Sequence, residues 1–215
     1  MKKKTLTIAI ALVLVVALAV GATWAYLTAT AGPVENTFVV GKILDNDNGL
    51  TLKEHAIDAT KSNTNAGKYV LSDTNYATDG NKYDAVMPGV DLPKDPTVAV
   101  TGLKADAYLF VVVDNKLDEG LSVNYDAKWD TLKVDGTKTL LVYKTANQNI
   151  ISADVADANI LANNTVTVAN TIGSGNQGSI VFNAYLVQAG GFNNAAAAWN
   201  GAFAQTTGIT ATVTP

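Results

Sequence analysis

Apolar residues follow two rhythms along this chain. From Leu6 to Leu27 they are almost continuous, and Ile8 to Ala22 is nearly pure aliphatic. Beyond Glu35 they come in short runs, often alternating with polar residues and divided by Asn-, Asp- and Gly-rich stretches. The second rhythm is that of strands, whose side chains change face at every residue. Phe38 to Ile43 reads as a short strand. Asn48-Gly49 is a hairpin signal, with Leu50-Thr51-Leu52 as the return strand. Residues 56–82 turn polar, which predicts a surface insertion in which only Tyr69-Val70-Leu71 is buried. Regularity resumes at Thr97 to Thr101. Ala107 to Val113 is apolar at every position and rich in β-branched and aromatic residues, which predicts a central strand buried on both faces. Leu121 to Tyr125, Thr165 to Val168, Ser179 to Val187 and Ile209 to Val213 read as further strands, and Asp135-Gly136 joins Leu132–Val134 to Thr139–Tyr143.

One helix interrupts this pattern. Asn193-Asn194 can cap Ala195 to Phe203, which sets Trp199 and Phe203 on one face. Asp154 to Leu161 predicts a second short helical turn. Many strands, short polar turns and little helix predict an all-β fold: an antiparallel, jelly-roll-like β-sandwich with one or two short helices, preceded by an N-terminal signal or hydrophobic helix.

The apolar leader has its own chemistry. Lys2, Lys3 and Lys4 precede it, no charge occurs from Thr5 to Val34, and small residues crowd its exit. That order describes an export signal. The stretch also reaches the ~20 apolar residues of a membrane span, so an uncleaved anchor is the alternative, and any membrane contact would run through this segment alone. Ala29-Thr30-Ala31 obeys the small-x-small rule for cleavage after Ala31, and Thr23-Trp24-Ala25 obeys it loosely for cleavage after Ala25. Removing residues 1–26 leaves a single domain over 27–215. It contains no cysteine, so neither disulfides nor thiolate metal sites support it. All 15 basic residues are lysines; 12 survive loss of the leader against 19 carboxylates, a mature net charge of −7. A surface of that sign repels phosphate and argues against nucleic-acid binding.

Several segments, in their order, resemble the TasA/camelysin family of bacterial extracellular proteins. Thr23-Trp24-Ala25-Tyr26-Leu27 followed by Asn36 to Ile43 is similar to its export signal and first strand. Val86-Met87-Pro88-Gly89 with Lys94-Asp95-Pro96 resembles its Pro-Gly turn and next strand. Ala107-Tyr108-Leu109 resembles its central strand, and Ala184 to Ala189 with the Trp199 helix its closing elements. The resemblance implies cleavage between Tyr26 and Leu27, or after Ala25, by a dedicated signal peptidase of the SipW type. It also implies secretion to the extracellular matrix or surface of a Gram-positive-type bacterium, as a biofilm matrix fibre subunit that self-associates and can meet an accessory matrix subunit. In such fibres the leading segment of one copy completes the sheet of its neighbour through strand addition. Here residues 27–43 would donate, with Val34, Asn36, Phe38 and Val40 on one face; Pro33 cannot donate to a ladder. Pairing of that segment within its own domain is the alternative, which leaves a monomeric exported adhesion or binding module.

The camelysin branch implies a metal-dependent protease. Zinc hydrolysis on the HExxH plan needs two imidazoles one helical turn apart, whereas this chain has one histidine, His55, followed by Ala-Ile-Asp. His55 reads as a solvated residue, and no enzyme activity and no cofactor are expected. Asp45 and Asp47, in Asp45-Asn46-Asp47-Asn48-Gly49, are weak calcium candidates, because the glycine and glutamate of a calcium loop are misplaced. Gly173 to Gly178 spells GxGxxG, but a strand follows where a dinucleotide site needs a helix, so the glycines read as a hairpin loop. Trp129 and the tyrosines read as core or sheet-face residues.

Overall fold

The computed structural model describes residues 28–31 (backbone only), 43–173 and 178–212. The leader, the cleavage residues Ala25, Tyr26 and Leu27, and the candidate donor residues Val34, Asn36, Phe38 and Val40 lie outside them. In chain order the strands are β1 (Thr28–Ala31), β2 (Leu50–Lys53), β3 (His55–Ile57), β4 (Leu71–Tyr76), β5 (Leu92–Pro93), β6 (Thr97–Val100), β7 (Ala107–Leu117), β8 (Leu121–Ser122), β9 (Trp129–Asp135), β10 (Lys138–Tyr143), β11 (Ile150–Ile151), β12 (Val155–Asn159), β13 (Thr165–Val168) and β14 (Gly178–Gln188). Two helices follow, α1 (Ala195–Ala202) and α2 (Ala204–Thr207). The described fold is mostly β-sheet.

A six-stranded sheet runs β1-β14-β7-β10-β9, with β11 also on β7. Its spine is the antiparallel ladder of the two 11-residue strands, from Gly178 opposite Leu117 to Gln188 opposite Ala107. One face packs on the three-stranded sheet β12-β6-β2: Leu109, Val111, Val113, Ala184 and Leu186 meet Val98, Val100 and Leu50. The opposite face packs on α1, where Tyr108, Phe110, Val112, Leu140 and Val142 meet Ala198 and Trp199. Alternate residues of β7 therefore feed two separate cores. This is why Ala107 to Val113 reads as apolar without a break. A third, smaller core joins Tyr69 to Leu92, Val166 and Val168 around the β5-β13-β8 ladder.

The helix forms where the capping signal sets it. The Asn194 side chain accepts from the Ala197 N–H at 2.8 Å, and Trp199 and Phe203 are buried together. Asp135-Gly136 does join a hairpin, β9 to β10.

Other expectations are overturned. Residues 154–161 form no helical turn; they contain β12, which pairs with β6 across a register shift. Burial of Val155 and Ala158 against β6 outweighs the weak local helical pattern. Leu50 to Leu52 falls in β2, which pairs with the distant β6, from Leu50 opposite Val100 to Lys53 opposite Thr97; residues 38–42 of the expected hairpin lie outside the described residues. Within the described residues Ile209 to Thr212 is not a strand. Its backbone is spent on α1 instead: Trp199 Nε1 donates to the Ile209 carbonyl at 2.9 Å, and Asn200 exchanges two bonds with the Ala211 backbone at 2.8 and 2.9 Å. The polar insertion carries its own hairpin, β3 with β4, in which Tyr69 is buried but Val70 is 39% exposed.

Candidate functional site

Two features outside the plain core stand out. The first is the outer edge of β14. β1 covers part of it, in register from Thr28 opposite Val187 to Ala31 opposite Ala184. Among the described residues no strand covers that edge from Ser179 to Asn183. An edge left uncovered by the described residues, with Ser179 and Val181 exposed, is a template for a further strand. Ala31, an alternative cleavage residue, is the last residue of β1, so a cut after it would remove the strand from the mature chain.

The second feature is a polar cluster beside this edge. A cavity of about 970 Å³ is bordered by Leu52, Tyr83, Ile180 and Phe182, with Glu54 and Lys94 at its polar end. The Lys53↔Thr97 pairing of β2 with β6 sets Glu54 next to the extended Lys94-Asp95-Pro96 segment. Lys94 Nζ bonds both Glu54 carboxylate oxygens, at 3.1 and 2.9 Å, and lies 5.7 Å from the centre of the Phe182 ring. The two side chains are only 8% and 12% exposed. Asn81, from the insertion, closes the group. Its Nδ2 donates to Glu54 Oε1 and to the His55 carbonyl, each at 2.7 Å, and its Oδ1 accepts from the Ile57 N–H at 2.8 Å. The Tyr83 hydroxyl donates to the Pro93 carbonyl. Burial, reinforced by the carboxylates of Glu54 and Asp95, pushes that hydroxyl well above the usual tyrosine range.

His55 is not simply solvated. Its Nδ1 meets Asp95 Oδ2 at 2.6 Å, its backbone N–H donates to Asp95 Oδ1 at 3.0 Å, and its ring stacks on Tyr76 at 4.6 Å. Glu54, Asn81 and Lys94 were not legible as a group, because 40 residues separate Glu54 from Lys94 and 27 separate it from Asn81. The only hint is a Lys-Asp pair set between two prolines, Pro93-Lys94-Asp95-Pro96.

These residues do not fit the metal that the camelysin resemblance implies. The chain has a single histidine, and no group of three His, Cys, Asp or Glu gathers among the described residues. Asp45 and Asp47 sit on an exposed turn; Asp45 pairs with Lys104 at 2.8 Å. Gly173 falls in the β13–β14 connection and Gly178 begins β14; residues 174–177 between them lie outside the described set. Trp129 is buried, and its Nε1 donates to the Asn159 carbonyl at 2.8 Å. Comparison with protein-family models, with curated proteins and with solved structures finds no match to this chain.

Proposed function

We propose that this protein is a secreted jelly-roll subunit of an extracellular, biofilm-matrix type of fibre, similar to the TasA/camelysin family, and that its leading strand is exchanged between copies. The carrying observation is the position of β1. It directly follows the apolar leader, and a four-pair backbone ladder joins it to an outer sheet edge. A ladder is indifferent to which copy supplies it, because its hydrogen bonds are made by backbone. Each such bond contributes ~0.5–1.5 kcal/mol. Within one chain the strand competes at an effective concentration of roughly millimolar, so exchange requires additional contacts in the trans arrangement. The neighbour's residues 32–38 supply them along the Ser179 to Asn183 edge, with the adjacent cavity as acceptor. Removal of the leader by the signal peptidase frees the segment. The mature charge of −7 makes copies repel, so assembly strengthens as salt rises toward ~0.15 M, where the screening length falls to ~8 Å.

The test is negative-stain electron microscopy of the mature protein beside a variant lacking residues 27–38. Filaments that form with the first, strengthen with salt and vanish in a still-folded second are expected. A mature protein that stays monomeric at high concentration, with the β1 amides protected from exchange in that monomer, overturns the reading.

A further inference from the structure

Lys94, Glu54 and Asn81 are arranged as nucleophile, proton carrier and electrophile, and we infer that Lys94 and Asn81 become joined by an intramolecular isopeptide bond. Lys94 Nζ and Asn81 Nδ2 bond the same oxygen, Glu54 Oε1, at 3.1 and 2.7 Å, so a single carboxylate oxygen bridges the amine and the carboxamide. The carboxamide has one orientation. Turned over, its NH₂ group would face the Ile57 N–H, donor against donor. Oδ1 is therefore the atom held by a backbone N–H, at 2.8 Å, where negative charge develops on attack. Glu54 touches both the attacking and the departing nitrogen, the position a general base and acid must occupy.

The reaction balances without any further reagent. Glu54 takes a proton from the Lys94 ammonium across the 2.9 Å bond to Oε2. The amine lone pair then forms a bond to Asn81 Cγ, and the carbonyl pair moves onto Oδ1, facing Ile57. As the carbonyl re-forms, the Cγ–Nδ2 bond breaks; Glu54 returns its proton to Nδ2, and the proton of the former amine leaves with the same nitrogen. The products are a secondary amide and ammonium, and nothing is oxidised or reduced. Lys94, Asn81 and Glu54 all line the cavity, which leaves the unbranched lysine stem room for its final approach. Held neighbours of this kind react at high effective molarity. The apolar wall of Leu52, Tyr83 and Phe182 restricts the water that would compete.

The position also has a use for the bond. The segment from Asn81 to Lys94 anchors the insertion to the sandwich, and no cysteine is available to tie it. A buried ion pair contributes little stability by itself.

The experiment is peptide mapping by mass spectrometry of the processed, folded protein, denatured before trypsin. Expected is a branched peptide joining the Asn81 and Lys94 segments, lighter than the unlinked pair by one ammonia (~17 Da), uncut after Lys94 and stable to hydroxylamine. Lys94→Arg and Glu54→Gln should each restore separate full-mass peptides. The wild-type fragment spectrum identifies the bond even if either variant folds poorly. Unlinked full-mass peptides from folded wild-type protein overturn the inference. So does an ammonia loss that persists in Lys94→Arg and is cleaved by hydroxylamine, the signature of a succinimide at an asparagine.

Discussion

Replacing Trp199 by phenylalanine should destabilise the domain more than the same change at Trp129, although both indoles are buried and both donate to a backbone carbonyl. Trp199 lies at the centre of an aromatic group with Phe110, Tyr185 and Phe203, at centroid distances of 5.3, 5.3 and 5.5 Å. Its Nε1 partner, the Ile209 carbonyl, belongs to a fully buried residue. Phenylalanine leaves that carbonyl without a donor in a place water does not reach, a loss of ~1–3 kcal/mol. The smaller ring leaves ~40 Å³ empty, which at ~24 cal/mol per Å³ adds about 1 kcal/mol. Together these give about 2–4 kcal/mol, a large part of the ~5–15 kcal/mol that holds a typical domain. At Trp129 the packing loss is similar, but the carbonyl belongs to half-buried Asn159, where water can replace the indole; about 1–2 kcal/mol is expected. Urea unfolding followed by far-ultraviolet circular dichroism measures both. Thermal midpoints should fall by roughly 2–4 °C per kcal/mol for a domain of this size. A Trp129→Phe variant that loses as much as Trp199→Phe, or more, would refute the idea that access of water to the carbonyl decides the difference.

Two further predictions test the frame around the candidate site. Gly178, at φ +77°, begins β14, and a Cβ there would meet the Lys116 backbone carbonyl at 1.8 Å. Gly178→Ala should cost more than about 2 kcal/mol in urea unfolding, since the left-handed backbone alone costs ~1–2 kcal/mol. Gly80→Ala, at φ +82° with open space around it, should cost only that backbone share. The Asp154 carboxylate accepts the Leu103 and Gly102 N–H groups at 2.8 and 3.0 Å, and these bonds, Leu103's first, hold its pKa below the ordinary 3.8. A depressed folded value means the stabilisation is complete above about pH 4 and is lost as pH falls through the folded pKa. The gap in urea midpoint between wild type and Asp154→Asn should therefore be open at neutral pH and close in acid; a gap that stays constant with pH would rule this out.

How much of this was legible depended on whether a residue's partner lay near it in the chain. The Ala107 to Val113 run, the Asp135-Gly136 turn and the Asn194 cap act locally, and each appears where the pattern sets it. Residues 154–161 and 209–212 carry weak local signals, and distant partners decided both: β6 for the first, Trp199 and Asn200 for the second. His55 was legible as the single histidine, but its Asp95 partner lies 40 residues away.

Residue order alone established a cysteine-free, acidic chain and a mainly β architecture, because composition and side-chain alternation do not depend on how strands are assembled. It did not establish which strands pair, that residues 209–212 bond to Trp199 and Asn200, or that Glu54, Asn81 and Lys94 share one buried contact. Those depend on long-range registers, β2 on β6 and the insertion on both. Such registers are chosen by the burial of whole sheet faces at once, a quantity that no short window of sequence contains.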